Sequence, residues 1–102
     1  MLGQSYKTAN KKASANTVQL YNNLFNILPK GILFGHQDDL AYGLGWEYIP
    51  GKSVVQDAVG EYPAMYGWEL GDLELGAIFN LDSVPFNKMK YFIKEGYENG
   101  GV

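Results

Sequence analysis

The sequence predicts an α/β fold with a parallel sheet, and two observations support this. Two short apolar runs, at residues 31–34 and 62–66, each lead into a glycine-rich loop that carries polar and aromatic residues. Segments with helical periodicity alternate with these runs. Short continuous apolar runs are typical of buried parallel strands, and enzymes built on such sheets place ligand-contacting groups at the carboxyl ends of the strands.

The chain is expected to begin with a leader and a helix. Residues 1–15 are polar and rich in Lys, Ser, Ala and Asn, which predicts a mobile leader. Asn16 or Thr17 is predicted to cap an amphipathic helix that ends at Pro29 and Gly31. Its apolar residues recur at helical spacing: Val18, Tyr21, Leu24, Phe25 and Leu28.

Two strands and a short helix follow. Ile32–Phe34 is predicted as the first strand, and Ala64–Trp68 as the second. The path between them is far longer than a simple connection needs, which is typical of functional or disordered loops. Within it, Ser53 is predicted to cap a short helix that Gly60 ends.

The last predicted helix begins at Asp82 or Ser83, with Pro85 in its first turn. Its apolar face is formed by Phe86, Met89, Phe92, Ile93 and Tyr97. After the stop at residues 100–101, Val102 is expected to be the first residue of a third strand. Since two parallel strands cannot bury both faces of a sheet, the sequence predicts an incomplete domain.

Composition excludes several function classes. The chain has 102 residues, 46% of them hydrophobic, which is enough for one small domain with a core. A net charge of −3 argues against nucleic acid as a partner. Cysteine is absent and His36 is the sole histidine, so the sequence predicts no metal site and no cofactor. No apolar run approaches the ~20 residues that cross a bilayer, so no membrane partner is expected.

Two motifs together identify a family. Residues 34–43 read Phe-Gly-His-Gln-Asp-Asp-Leu-Ala-Tyr-Gly, and Trp46 follows them. Residues 62–64 read Tyr-Pro-Ala, and residues 66–71 read Tyr-Gly-Trp-Glu-Leu-Gly. In order and spacing these motifs resemble glycoside hydrolase family 26, the β-mannanase family, and the resemblance covers roughly residues 17 to 102.

The resemblance implies a (β/α)8 barrel that hydrolyses β-1,4-mannosidic bonds of mannan, glucomannan or galactomannan with retention. A complete barrel takes about 250 residues. Residues 16–102 would therefore be its N-terminal portion, the first two β/α units, truncated before the third strand. The family's two catalytic glutamates lie on later strands, so no catalytic residue is expected in this chain and the isolated chain is predicted to be inactive. The parent enzyme is expected to be secreted or exposed at the cell surface.

Five residues near the predicted strand ends are candidates for binding β-mannan or manno-oligosaccharides. His36 and Gln37 suit sugar hydroxyls, which donate and accept hydrogen bonds, although His36 could instead brace the loop. Trp46 and Trp68 could stack on pyranose rings, or pack in the core. Glu69 could accept hydrogen bonds from a sugar hydroxyl, or orient a basic neighbour in the complete barrel.

Other residues of the two motifs favour structural roles. Asp38 and Asp39 resemble a calcium ligand pair, but the loop lacks the alternating oxygen donors of an EF-hand. Asp39 is predicted to cap a loop or helix, and core packing is favoured for Tyr42.

Two functions of other classes remain open. One is a non-catalytic carbohydrate-binding module that uses the tryptophans and tyrosines as a stacking platform. Such modules are usually all-β, whereas long helical periods flank the strands here. The other is an assembly fragment whose exposed strand edges recruit the rest of a barrel, although such edges favour aggregation.

Overall fold

The computed structural model describes residues 6–102, so the first five residues of the predicted leader lie outside the described residues. The chain forms two compact units, one ending at Ile32 and the other spanning Leu33–Val102. The elements in order are α1 (Ala15–Ile27), β1 (Gly35–Gln37), β2 (Tyr42–Gly43), β3 (Trp46–Glu47), α2 (Val54–Val59), β4 (Met65–Gly67), a 3-10 turn (Leu73–Leu75) and α3 (Phe86–Glu98).

The first unit is built around α1, which confirms the first predicted helix. Its cap is Ser14, whose side chain accepts a hydrogen bond from the Thr17 amide at 3.2 Å. The predicted cap at Asn16 or Thr17 is therefore wrong, because both residues already lie in the first turn. Tyr6, at the end of the predicted leader, stacks on Phe25 of α1 with ring centroids 3.8 Å apart.

The second unit contains the predicted parallel pair of strands. β1 and β4 pair in parallel, with Gly35 opposite Met65 and Gln37 opposite Gly67. The predicted position of the first strand, Ile32–Phe34, is wrong, because pairing begins at Gly35. A Cβ on Gly35 would lie 3.1 Å from the Met65 Cβ. The close approach of the two strands, rather than the apolar run before them, therefore sets the register.

Val102 pairs with the other edge of β4. Its amide donates to the Ala64 carbonyl at 2.9 Å, and its carbonyl accepts from the Tyr66 amide at 2.6 Å. These two bonds bracket Met65 in the pattern of a parallel ladder. Successive residues of a strand direct their backbone groups to alternate edges. Val102 therefore lies on the edge of β4 that faces away from β1. Val102 thus makes two backbone bonds to β4 of the kind that a third strand would make, while the sheet itself consists of β1 and β4.

An antiparallel hairpin, β2–β3, was not predicted. Tyr42 pairs with Glu47 and Gly43 with Trp46, and Gly45 closes the turn at a φ of 79°. Only Leu44 and Gly45 lie between the two strands. A two-residue loop whose second residue is glycine is a recognisable hairpin signal. Gly43 and Gly45 were predicted only as loop residues.

The two helices of this unit differ in how well their starts were predicted. Ser53 caps α2 and Gly60 ends it in the left-handed conformation, at a φ of 85°, as predicted. α3 begins at Phe86, with Pro85 as a cap residue that contributes no side-chain bond. The predicted start at Asp82 or Ser83 is therefore wrong.

The second unit has a small core formed by α3 and by loop residues. Its buried apolar residues are Leu40, Ala41, Val84, Met89 and Phe92. Beside it, the Tyr66 ring of β4 packs against Gly96 of α3, where a Cβ would lie 2.8 Å from the ring. Among residues 6–102, no helix is long and apolar enough to cross a membrane.

Candidate functional site

The first candidate residues lie at the end of β1. The His36 side chain is 41% exposed, and its Nδ1 lies 3.2 Å from Oδ1 of Asp39, outside hydrogen-bond geometry. Gln37 is exposed, and its Oε1 occupies the space that a Cβ on Gly67 would take. Glycine at position 67 therefore leaves room for the Gln37 amide above the sheet.

Asp39 fixes the end of β1 to α2. Its carboxylate is fully buried and accepts hydrogen bonds from the Ser53 hydroxyl and from the Val55 amide, the latter at 3.0 Å. Asp39 and Ser53 thus accept hydrogen bonds from the amides of Val55 and Gln56, which lie at the start of α2 and have no partner within the helix. The predicted capping role of Asp39 is confirmed. The His36 imidazole lies beside this capping group without a hydrogen bond to it.

Asp38 is a second buried carboxyl group, 1% exposed and at a φ of 53°. Its Oδ2 accepts a hydrogen bond from the Tyr42 hydroxyl at 3.2 Å, whereas Oδ1 is buried without a donor. Burial raises the pKa of Asp38 to about 6, helped by Asp82 and, less strongly, by the charge of Glu69. The Tyr42 hydroxyl opposes this pKa rise, because it favours the ionised form.

An open cleft of about 560 Å³ lies beside the hairpin. It is lined by Tyr42, Gly43, Gly45, Trp46, Glu47, Tyr48, Asp82 and Ser83. The Trp46 indole lies over Gly43, where a Cβ would be 2.5 Å from Nε1, and the Lys52 ammonium lies 5.6 Å from the ring centroid. An indole ring and two phenol rings around an open cleft suit the apolar faces of sugar rings.

Two tyrosines frame this cleft. The Tyr48 hydroxyl donates to the Ser83 carbonyl at 3.3 Å, and the Tyr42 hydroxyl donates to Asp38. The pKa of each phenol is raised above its ordinary value, mainly by burial. Both therefore remain protonated donors at neutral pH.

The remaining candidates follow β4. Trp68 stacks on Phe92 with ring centroids 5.9 Å apart and packs against the core, which favours the core-packing alternative. Glu69 Oε1 accepts from the Gly71 amide at 2.6 Å, and the Asn80 side-chain amide donates to the Glu69 carbonyl at 3.1 Å. Glu69 therefore helps to form its own turn.

The five candidate residues lie at two places in the structure. His36 and Gln37 end β1, while Trp68 and Glu69 follow the adjacent strand β4. Trp46 lies apart from them in the cleft. Tyr48 was not predicted as a cleft residue, and Asp82 and Ser83 were predicted only as helix starts. Within residues 6–102 there is no group of three or more His, Asp or Glu that could hold a metal ion.

The chain is similar over most of its length to a solved structure. It is a GH26 β-mannanase from Bacteroides ovatus, 46% identical, with a TM-score of 0.83. The match covers 88% of this chain and 26% of that enzyme, so the chain spans about a quarter of the length of its relative. No protein-family model and no curated protein matches the chain. The identity and the shared fold, together with the two motifs at the strand ends, show that the chain belongs to glycoside hydrolase family 26.

Proposed function

We propose that the chain forms part of a retaining endo-β-1,4-mannanase, as the first two β/α units of a (β/α)8 barrel. The substrate would be mannan, glucomannan or galactomannan. The observation that carries this proposal is 46% identity to a β-mannanase across 88% of the chain. The two parallel strands, with both motifs at their carboxyl ends, support it, because barrel enzymes build their sites there.

The proposed contribution of this chain is sugar binding. Gln37 and His36 are accessible at the end of β1, where an amide and an imidazole can exchange hydrogen bonds with hydroxyl groups. Trp46 offers a ring face in the open cleft. Trp68 and Glu69, which follow β4, complete the proposed set, with Trp68 the more deeply engaged in packing.

No carboxyl group of this chain is assigned a catalytic role in the proposal. Retaining hydrolysis needs two carboxyl groups about 5 to 5.5 Å apart, one as nucleophile and one as acid/base. Asp38 and Asp39 are buried, and Asp39 caps a helix. Glu69 is bonded to the Gly71 amide. The resemblance instead assigns the two glutamates to later strands of the barrel.

A chimera tests the proposal directly. This chain replaces the matching quarter of the Bacteroides ovatus enzyme, and hydrolysis of galactomannan is followed by reducing ends and by NMR of the anomeric product. We expect retaining hydrolysis by the chimera and none by the 102-residue chain alone. A folded but inactive chimera, or an active isolated chain, would contradict the proposal.

The open aromatic cleft also supports a second candidate, a carbohydrate-binding module. Such a module would bind manno-oligosaccharides as the isolated chain, whereas a barrel fragment would bind them only within the chimera. Calorimetric titration of the isolated chain with mannohexaose separates the two. The three helices of the described chain argue against the module, because modules of this kind are usually all-β.

A further inference from the structure

Tyr48 lines the cleft and has a strained backbone. It follows β3 directly, and its φ is 53°, in the left-handed region that favours glycine. An aromatic residue in this region costs free energy and persists only where its surroundings fix it. Such residues cluster at active sites and at ligand contacts. Glycine or asparagine would form the same turn at a lower cost, so the presence of tyrosine points to a role for its ring.

Four contacts hold Tyr48 in this conformation. Its amide donates to the Ala41 carbonyl at 2.7 Å, and its hydroxyl donates to the Ser83 carbonyl at 3.3 Å. Its ring stacks on Phe92 of α3, with ring centroids 6.3 Å apart and planes inclined by 22°. The Lys88 ammonium, also from α3, lies 4.6 Å from the centroid of the same ring. The ring is therefore ordered before any ligand arrives, which lowers the entropy that binding would cost.

The ring of Tyr48 is the part that remains for a ligand. Its hydroxyl already donates to Ser83, and the ring is half-buried beside the open cleft that Trp46 and Tyr42 also line. A rigid aromatic ring supplies contact area for the apolar face of a sugar.

We propose that Tyr48 is a further sugar-binding residue of the cleft, and that Lys88 and Phe92 are positioning residues that hold its ring. This assignment rests on the proposed function, since it adds a residue to the same sugar-binding site. Lys88 acts through Tyr48, because its ammonium is attracted to the face of the phenol ring. In this way α3 supports the cleft, although the described residues that line it include none from α3.

Two variants of the chimera test the role of the ring. Tyr48→Leu removes the aromatic face, and we expect it to raise KM for galactomannan by ~10-fold with kcat nearly unchanged, because binding is lost equally in the ground and transition states. Tyr48→Phe keeps the ring and should remain within ~3-fold of the unsubstituted chimera. An unchanged KM in a folded Tyr48→Leu chimera, or equal losses in the two variants, would overturn the proposal. Inactivity of the unsubstituted chimera would instead contradict the proposed function.

NMR measures the contact directly and does not need turnover. The chimera carries carbon-13 labelled tyrosine, has its nucleophile glutamate replaced by alanine, and is saturated with mannohexaose. We expect nuclear Overhauser effects between sugar protons and the Tyr48 ring, and none at Tyr91, an exposed ring on α3. If the bound sugar gives no such effect at Tyr48, the proposal fails, even where Tyr48→Leu does not fold.

The positioning role of Lys88 is tested by a double-mutant cycle. Lys88→Met removes the ammonium but keeps an apolar chain, and should raise KM by ~3-fold. The same change should have no further effect in the Tyr48→Leu background. Lys90→Met, at an exposed lysine of α3, is the matched control and should leave KM unchanged. An effect of Lys88→Met that persists without the Tyr48 ring would mean that Lys88 acts independently of it.

Discussion

Buried polar side chains hold the loops of the second unit in place. The four such residues are Asp38, Asp39, Ser53 and Asn80. Buried polar groups are stable only when they are hydrogen-bonded, so each marks a place where a loop is fixed to an element. Asn80 illustrates this, because its Oδ1 accepts from the amides of Asp82 and Val84 at 2.9 and 2.8 Å. The Asn80 amide also donates to the Glu69 carbonyl, which connects the loop after β4 to the segment before α3.

Removing the Ser53 hydroxyl should destabilise this unit. Ser53→Ala deletes the cap of α2 and leaves the buried Asp39 carboxylate without one donor. We expect a loss of ~2 kcal/mol in the free energy of unfolding, measured by urea titration. Ser14→Ala, at the exposed cap of α1, is the matched control and should cost ~1 kcal/mol or less. Equal effects at the two positions would argue against a special role for the Asp39–Ser53 contact.

The stability of the chain should depend on pH through Asp38. Because its pKa rises from 3.8 to about 6 on folding, its stabilising contribution is complete below pH 3.8 and is lost as pH increases towards 6. The contribution is at most ~3 kcal/mol. Comparing the unfolding free energies of the unsubstituted chain and Asp38→Asn separates the contribution of Asp38 from the contributions of the other carboxyl groups.

The control for this measurement is Asp72→Asn. Both aspartates have a positive φ, 53° at Asp38 and 72° at Asp72, which asparagine tolerates. The difference between the unsubstituted chain and Asp38→Asn should change between pH 4 and 6, while Asp72→Asn measures the effect of placing asparagine at a positive φ. A constant difference for Asp38→Asn would exclude a raised pKa at Asp38.

Trp46 is expected to carry sugar binding in the cleft. In the active chimera, Trp46→Ala should lower kcat/KM by ~10-fold or more, since a lost stacking platform costs at least ~1.4 kcal/mol of binding in the transition state. Tyr91→Ala, at an exposed ring on α3, is the control and should leave kcat/KM unchanged. An unchanged kcat/KM in Trp46→Ala, with the fold intact, would remove Trp46 from the proposed site.

At the scale of elements, the sequence predicts the helices better than the strands. Helical periodicity and the Ser53 and Gly60 signals place α2 correctly, because these are local. The first strand is displaced by three residues, since its register depends on the contact of Gly35 with Met65, which is distant in sequence. The hairpin was missed, and with it the cleft, because Gly43 and Gly45 were interpreted only as loop residues.

The packing of α3 on β4 depends on a glycine. Gly96→Ala would normally favour the helix by ~1 kcal/mol. Here the added Cβ would lie 2.8 Å from the Tyr66 ring, so the helix or the ring must move. We expect net destabilisation of ~1–3 kcal/mol in urea unfolding.

Two comparisons make that prediction specific. Gly31→Ala is the control, because a Cβ there meets no atom within 4 Å and should leave stability nearly unchanged. In a Tyr66→Leu background, the additional cost of Gly96→Ala should shrink, because the smaller side chain leaves room. If the cost is the same in both backgrounds, the Tyr66 ring is not its cause.

At the scale of the whole molecule, the described chain exposes much apolar surface. The segment 70–81 alone exposes six large apolar side chains: Leu70, Leu73, Leu75, Ile78, Phe79 and Leu81. Phe34, just before β1, is 62% exposed. Surfaces of this kind usually mark an interface or a liability for aggregation. In the proposed barrel, further strands and helices would cover part of this surface, and β1 would gain a second neighbour.

The isolated chain should therefore behave differently from the same sequence inside the chimera. We expect the isolated chain to bind the dye ANS and to self-associate with increasing concentration in sedimentation experiments, and the chimera to do neither. The double variant Leu75→Lys/Ile78→Lys should reduce both effects in the isolated chain. It should destabilise the chimera if the barrel covers segment 70–81, because charged side chains would then be buried. The control, Tyr91→Lys/Tyr97→Lys on the exposed face of α3, should leave the stability of the chimera unchanged. A chimera that tolerates both double variants equally would mean that segment 70–81 stays open in the complete enzyme, and the surface would then have to be explained by another partner.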